Sequence, residues 1–208
     1  METASRANAV IAVYKRMALR KSIAAWSIFL GIAVGAHSPA LLGQSTGNKS
    51  LAPFVPTPQD VVERMLALAG VTSKDVVYDL GSGDGRIPIT AAKKYGARAV
   101  GIDIDPQRVA ESRINAKKAG VENLAEFKQQ DAMTVDVSPA TVVTLYLSTP
   151  SNLALRPLLT RQLKPGARIV SHVFGMGDWS PAQIDEFRDR TGGVDTLYLW
   201  IADGTVRP

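Results

Sequence analysis

The 208-residue sequence contains no cysteine. Disulfides, zinc–thiolate centres and a cysteine nucleophile are thereby excluded. Histidine is nearly as scarce: His37 and His172 are the two present, and His37 falls in an apolar stretch. A histidine-built metal site or a nucleophile–histidine triad has too little to draw on, and no metal is expected. A surplus of one charge is also missing from most of the chain. The net charge of +5 arises before residue 41, where Arg6, Lys15, Arg16, Arg20 and Lys21 face Glu2 alone. Taking these from the 24 basic and 19 acidic residues leaves 19 against 18, a net of +1. Such a body has no basic stripe for nucleic acid, and none is expected as a partner.

What the first segment does have is an uncharged run, Ser22 to Ala36, behind Arg20 and Lys21, with small residues Ser38 and Ala40 beyond it. This is the layout of a secretory signal. Extended to Leu42, the run is also long enough for a membrane anchor. Residues 1–42 are therefore read as signal peptide or membrane anchor, with the protein exported or membrane-anchored and in contact with the membrane through this segment. Residues 43–58 (GQSTGNKSLAPFVPTP) are rich in Gly, Ser, Thr and Pro and read as a linker. Residues 59–208 form one domain.

That domain opens on a helix start, with Thr57 as the cap, Pro58 in the first turn and Asp60 in the position of a capping-box acid. Gly70 stops this helix. Strand-like segments follow at 75–80, 98–104, 124–129, 141–147, 168–174 and 196–202, with helix-like ones at 86–95, 106–119, 152–163 and 181–190. Alternation at this period predicts an α/β fold, a mostly parallel Rossmann-like sheet with helices on both faces.

The stretch VVYDLGSGDGRI (76–87) carries the chemistry. A strand delivers Asp79, and Gly81, Gly83 and Gly85 turn into a helix whose N-terminus favours polar ligand groups. The spacing is GxGxG rather than the GxGxxG of a dinucleotide site, and Asp79 would repel a pyrophosphate. It would attract an ammonium, such as that on the methionyl end of S-adenosyl-L-methionine. Asp103 closes the second strand, 22 residues after Gly81, placed to accept from both ribose hydroxyls. Asp131 closes the third, placed to take the adenine amino group, with the Ala132 N–H toward the ring.

DLGSGDGR, GIDIDP, QQDA and LKPGARIVS resemble the motif series of class I S-adenosylmethionine-dependent methyltransferases, over roughly residues 54–202. PFVPTP (53–58), LYLSTP (145–150) and SHVFGMGDW (171–179) resemble a narrower group, the protein-lysine methyltransferases related to the mitochondrial enzymes that modify the ATP synthase rotor-ring protein and the adenine nucleotide translocase. The resemblance implies methyl transfer to a lysine of a protein substrate, with a membrane protein as the candidate. Tyr146, Ser148 and Pro150, with Thr149, then occupy the place where amino-methylating relatives carry their acceptor-side signature. The usual Asn/Asp-Pro-Pro-aromatic form is missing, which weighs against adenine or glutamine as acceptor. Pro56 and Thr57, with Phe54, are expected to close over the cofactor, while Arg86 reads as a solvated first-turn residue. Two other functions stay open: a small-molecule methyltransferase of the same fold, and a non-catalytic module that binds the cofactor.

Overall fold

A computed structural model describes residues 50–208. The segment read as signal or anchor lies outside the described residues. Among those described, no helix is long and apolar enough to cross a membrane.

Helix α1 (Gln59–Leu68) precedes β1 (Val76–Leu80), α2 (Arg86–Tyr95), β2 (Arg98–Asp103), α3 (Pro106–Ala119) and β3 (Ala125–Gln129). A 3₁₀ turn (Ala132–Thr134) leads to β4 (Val142–Leu145), α4 (Thr149–Gln162), β5 (Arg168–His172), β6 (Gln183–Arg188) and β7 (Val194–Ile201). The seven strands form one sheet in the order β3-β2-β1-β4-β5-β7-β6. The first five are parallel, whereas β7 runs antiparallel to both β5 and β6. Strand order reverses between β1 and β4, so the crevice at their carboxyl ends is the place where an open α/β sheet binds ligands.

The central strands are apolar on both sides because both sides are covered. Val77, Val142, Val170 and Leu197 pack under Val61, Val62, Met65 and Leu66 of α1. On the opposite face Leu80, Ile102, Val143 and Leu145 meet Leu155 and Leu159 of α4. Asp105 caps α3 by accepting from the Gln107 N–H (2.8 Å), with Pro106 as first helical residue.

Two expectations are corrected. The segment read as a helix over 181–190 is the edge strand β6, paired to β7 from Gln183↔Leu199 to Arg188↔Val194. Ser180-Pro181 followed by acids imitates a helix start, but an edge strand is also dense in charge. The free edge of β7 offers it a ladder, and Arg64 of α1 holds Asp185 through two hydrogen bonds (2.6 and 2.9 Å) while lying over the Phe187 ring. Thr57 does not cap α1: the residue before the helix is Pro58, and no side chain caps there. Thr57 is instead buried in the approach to the helix.

Candidate active site

At the carboxyl ends of β1, β2 and β4 a cavity is walled by Asp79, Gly81, Gly83, Asp103, Asp131, Ala132, Tyr146 and the strap Ser50–Thr57, which includes Pro56. The structure thus brings together most of the residues that the sequence singles out. Ser148, Pro150 and Gly85 lie outside this wall.

The glycine loop owes its shape to left-handed backbone at Gly81 (φ 84°), Gly83 (φ 54°) and Gly85 (φ 82°). Gly81 and Ser82 both donate their N–H to the Ile102 carbonyl (2.8 and 2.9 Å). A methyl on Gly81 would stand 2.7 Å from Leu147 Cδ2, and one on Gly83 would stand 2.4 Å from Phe54 Cε2. Only glycine leaves the cradle open. Gly85 serves packing rather than the cavity: its bare Cα makes room for Phe127 and Ser112.

The three strand-end carboxylates differ in environment. Asp79 is buried and accepts from Thr144 Oγ1 at 2.7 Å. Burial, reinforced by the nearby Asp103 and Asp84 charges, pushes its carboxyl up to about 7 despite the Thr144 hydrogen bond. A ligand ammonium in the cavity would supply the counter-charge this group lacks. Asp103 accepts one backbone N–H on each oxygen, from Gly83 (2.8 Å) and Asp105 (2.9 Å). A second lone pair stays on each, so two hydroxyls of one ribose can be held side by side. Asp131 caps the 3₁₀ turn through Met133 N–H (2.9 Å), and Ala132 opens that turn, where the first N–H groups find no partner within it.

The strap is fastened at both ends. Ser151 Oγ donates to the Leu51 carbonyl (2.7 Å), and Arg86 Nη1 donates to the Thr57 carbonyl (2.6 Å). Between them Phe54 sits over Gly83, with the Arg108 guanidinium 4.8 Å from its ring centre. Arg86 is therefore no solvated residue. It is half-buried and also grips Asp84, whose carboxyl this guanidinium holds below the usual range against the effect of burial. The sequence offers one signal for this, an Asp two residues before an Arg across a glycine. Arg108 and Gln130 also line the cavity, without a sequence pattern that marks them.

On the acceptor side, Tyr146 lines the cavity whereas Ser148 and Pro150 do not. Ser148 caps α4 by accepting from the Ser151 N–H (3.2 Å), its hydroxyl 2.8 Å from that of Ser151, and Pro150 lies in the helix's first turn. Tyr146 gathers two rings from the next strand end: His172, with centroids 4.2 Å apart, and Phe174, at 6.3 Å. Trp179 packs on Trp200 instead.

A family model described as the ANTKMT methyltransferase domain matches residues 79–183. A Saccharolobus islandicus protein named protein-lysine N-methyltransferase is 46% identical over 151 residues, which span 72% of this chain and 92% of that protein. The mouse adenine nucleotide translocase lysine N-methyltransferase is 33% identical, over 69% of this chain and 62% of its own length. A crystal structure from Salinibacter ruber, described as an RNA methyltransferase with bound S-adenosyl-L-homocysteine, is 54% identical with a TM-score of 0.69 and covers 74% of this chain and 97% of that one. The open glycine cradle, the ammonium-seeking Asp79 and the double-accepting Asp103 fit the same cofactor here. This chain belongs to the ANTKMT methyltransferase-domain family and is an S-adenosylmethionine-dependent methyltransferase.

Proposed function

We propose that this enzyme N-methylates a lysine side chain of a protein, and that the substrate is a membrane protein reached through the N-terminal segment. The observation that carries the lysine reading is Tyr146, which lines the cofactor cavity and packs against His172 and Phe174 at the adjoining strand end. The name borne by the 46%-identical Saccharolobus relative supports the same acceptor.

The cofactor supplies a methyl group on a sulfonium sulfur. What the chain must do is hold that group still and bring a neutral amine to it in line, at about 3 Å. Asp79 takes the methionyl ammonium, Asp103 the ribose, and Asp131 with Ala132 the adenine. Lysine arrives protonated and must lose its proton first. The Tyr146 ring at the cavity wall, packed with Phe174, disfavours the ammonium form by desolvation, and its face favours a methylated cation as it forms.

A second reading has one specific support, the description of the 54%-identical Salinibacter protein as an RNA methyltransferase. The near-neutral body of this chain weighs against it. The test is incubation of the full-length protein with methyl-labelled cofactor and, separately, membrane protein, total RNA and a low-mass metabolite extract. Label recovered as methylated lysine after hydrolysis of the membrane fraction is expected; label confined to nucleotides or to small molecules would sink the lysine reading. Carbonate washing of cell membranes tests the anchor, which is refuted by full release of the uncleaved chain.

A further inference from the structure

Three features at the end of β5 break local rules. His172 and Asp195 are both buried to within 2% of full burial, on the sheet face under α1, where a pair of hydrocarbons would pack at no electrostatic cost. His172 Nε2 lies 3.0 Å from Asp195 Oδ1, and its Nδ1 is buried without a hydrogen-bond partner. Next in the chain, Val173 takes φ 66°, the one non-glycine residue with positive φ among those described. Its flanks are joined by a bond from the Phe174 N–H to the His172 carbonyl (2.8 Å). This is a γ-turn of the rare positive-φ kind, on a β-branched residue that resists it.

Such a turn survives only where its surroundings hold it. Here the Val173 N–H donates to the Thr196 carbonyl (2.8 Å), and Asn152 Nδ2 and Ser171 Oγ both donate to the Phe174 carbonyl (2.9 and 2.6 Å). The turn lets two positions on either side of it, His172 and Phe174, address the same ring, that of Tyr146. The strand register places His172 and Asp195 on the sheet face that also carries Asp79 and Thr144. The buried pair therefore shares a face with the cofactor's ammonium-binding acid, one ring behind the cavity wall.

We propose that the His172–Asp195 pair, held by the strained turn at Val173, is a positioning device that fixes the Tyr146 ring beside the transferring methyl group. The carboxylate sets which imidazole nitrogen carries the proton and hence the plane of the ring. The imidazole in turn restricts the tyrosine. The proposal rests on the reading that the acceptor enters beside Tyr146. It adds that the ring must be immobile, since a small misplacement of a positioning group has large kinetic effects.

The test uses the full-length protein with ¹³C-labelled tyrosine rings, the Tyr146 signal among the five tyrosines being assigned by its loss in Tyr146→Phe. In Asp195→Asn and His172→Gln the Tyr146 ring signal is expected to shift or broaden while the other tyrosine signals hold. Cofactor affinity by calorimetry and the acceptor KM should stay within about twofold, while kcat falls by about 10- to 100-fold. In a Tyr146→Ala background, Asp195→Asn should have almost no further effect. If both polar variants fail to fold, Phe174→Leu, which disturbs no buried charge, should move the same signal. An unmoved Tyr146 signal, or cofactor affinity and kcat falling together with Tm, overturns the proposal. Failure of the wild-type protein to methylate lysine would defeat the acceptor reading alone, because the ring signal is read without any acceptor.

Discussion

Thr144 Oγ1 donates a 2.7 Å hydrogen bond to Asp79 Oδ1 across the β1–β4 pair, at the point where the strand order reverses. This bond holds the Asp79 carboxyl down. Burial and the Asp103 and Asp84 charges overcome it, and the group titrates near 7 instead of 3.8. An ammonium ligand would bind the ionised form. Cofactor affinity should therefore rise about tenfold per pH unit on approach to pH 7 and level off above it, with proton release on binding at the acid end. Calorimetry in buffers of different ionisation enthalpy measures both; a flat profile from about pH 5.5 to about pH 8 would contradict the assignment.

The same shift has a sign for stability. The folded-state value lies above the unfolded one, so between pH 3.8 and about 7 the folded protein retains a proton that the unfolded chain has lost. That stabilisation is complete below 3.8 and gone once pH passes about 7. Asp79→Asn keeps an acceptor for Thr144 and removes the buried charge. At about pH 8 it should raise the Tm of the ligand-free protein by about 5 °C while weakening cofactor binding by about 100-fold. A lowered Tm would show that the carboxylate stabilises the empty site.

Gly83→Ala confronts two obstacles at once. A left-handed alanine costs about 1 kcal/mol, and its methyl would stand 2.4 Å from Phe54 Cε2. Phe54 is 44% exposed and can move, so the strap should lift rather than the loop unfold. We expect cofactor affinity about tenfold weaker and faster proteolysis within residues 50–57. The added change Phe54→Ala should restore part of the thermal stability without restoring affinity.

How legible all this is in the sequence depends on the range of the forces involved. Asp79, Asp103 and Asp131 can be read because each lies in a local pattern, an acid at or just past the carboxyl end of a strand and ahead of a turn. The acceptor side cannot be read to the same depth. Ser148 lies in the right stretch, but a hydroxyl at a helix start is claimed by the nearest N–H, that of Ser151. Arg86 is only half legible: Asp84 stands two residues away, but the Thr57 carbonyl reaches the guanidinium only when the strap folds back over the loop. β6 escapes a local reading for a related reason. Its charged sequence suits either a solvated helix or a sheet edge, and the decision belongs to β7 and to Arg64, which is distant in sequence.

Arg86→Lys tests the strap as a retainer of cofactor. One ammonium cannot grip the Asp84 carboxylate as a fork and also reach the Thr57 carbonyl, as the guanidinium does. Cofactor dissociation should quicken by about tenfold, seen by stopped-flow fluorescence. With cofactor saturating, kcat should stay within about twofold. A collapse of kcat under those conditions would place Arg86 in the acceptor path instead.

Val173→Gly separates strain from packing. Glycine adopts φ 66° freely, so the turn itself would persist, and relief of the β-branched residue should offset the loss of its partly buried side chain. If the strain is held because it aims His172 and Phe174 at Tyr146, the variant should keep its Tm within about 2 °C yet lose activity by about tenfold. The reason is that a glycine turn allows other backbone states and so aims less sharply. Equal activity with a higher Tm would mean that the strain serves no function. A large fall in both would mean that the valine side chain, rather than its backbone, is what the site requires.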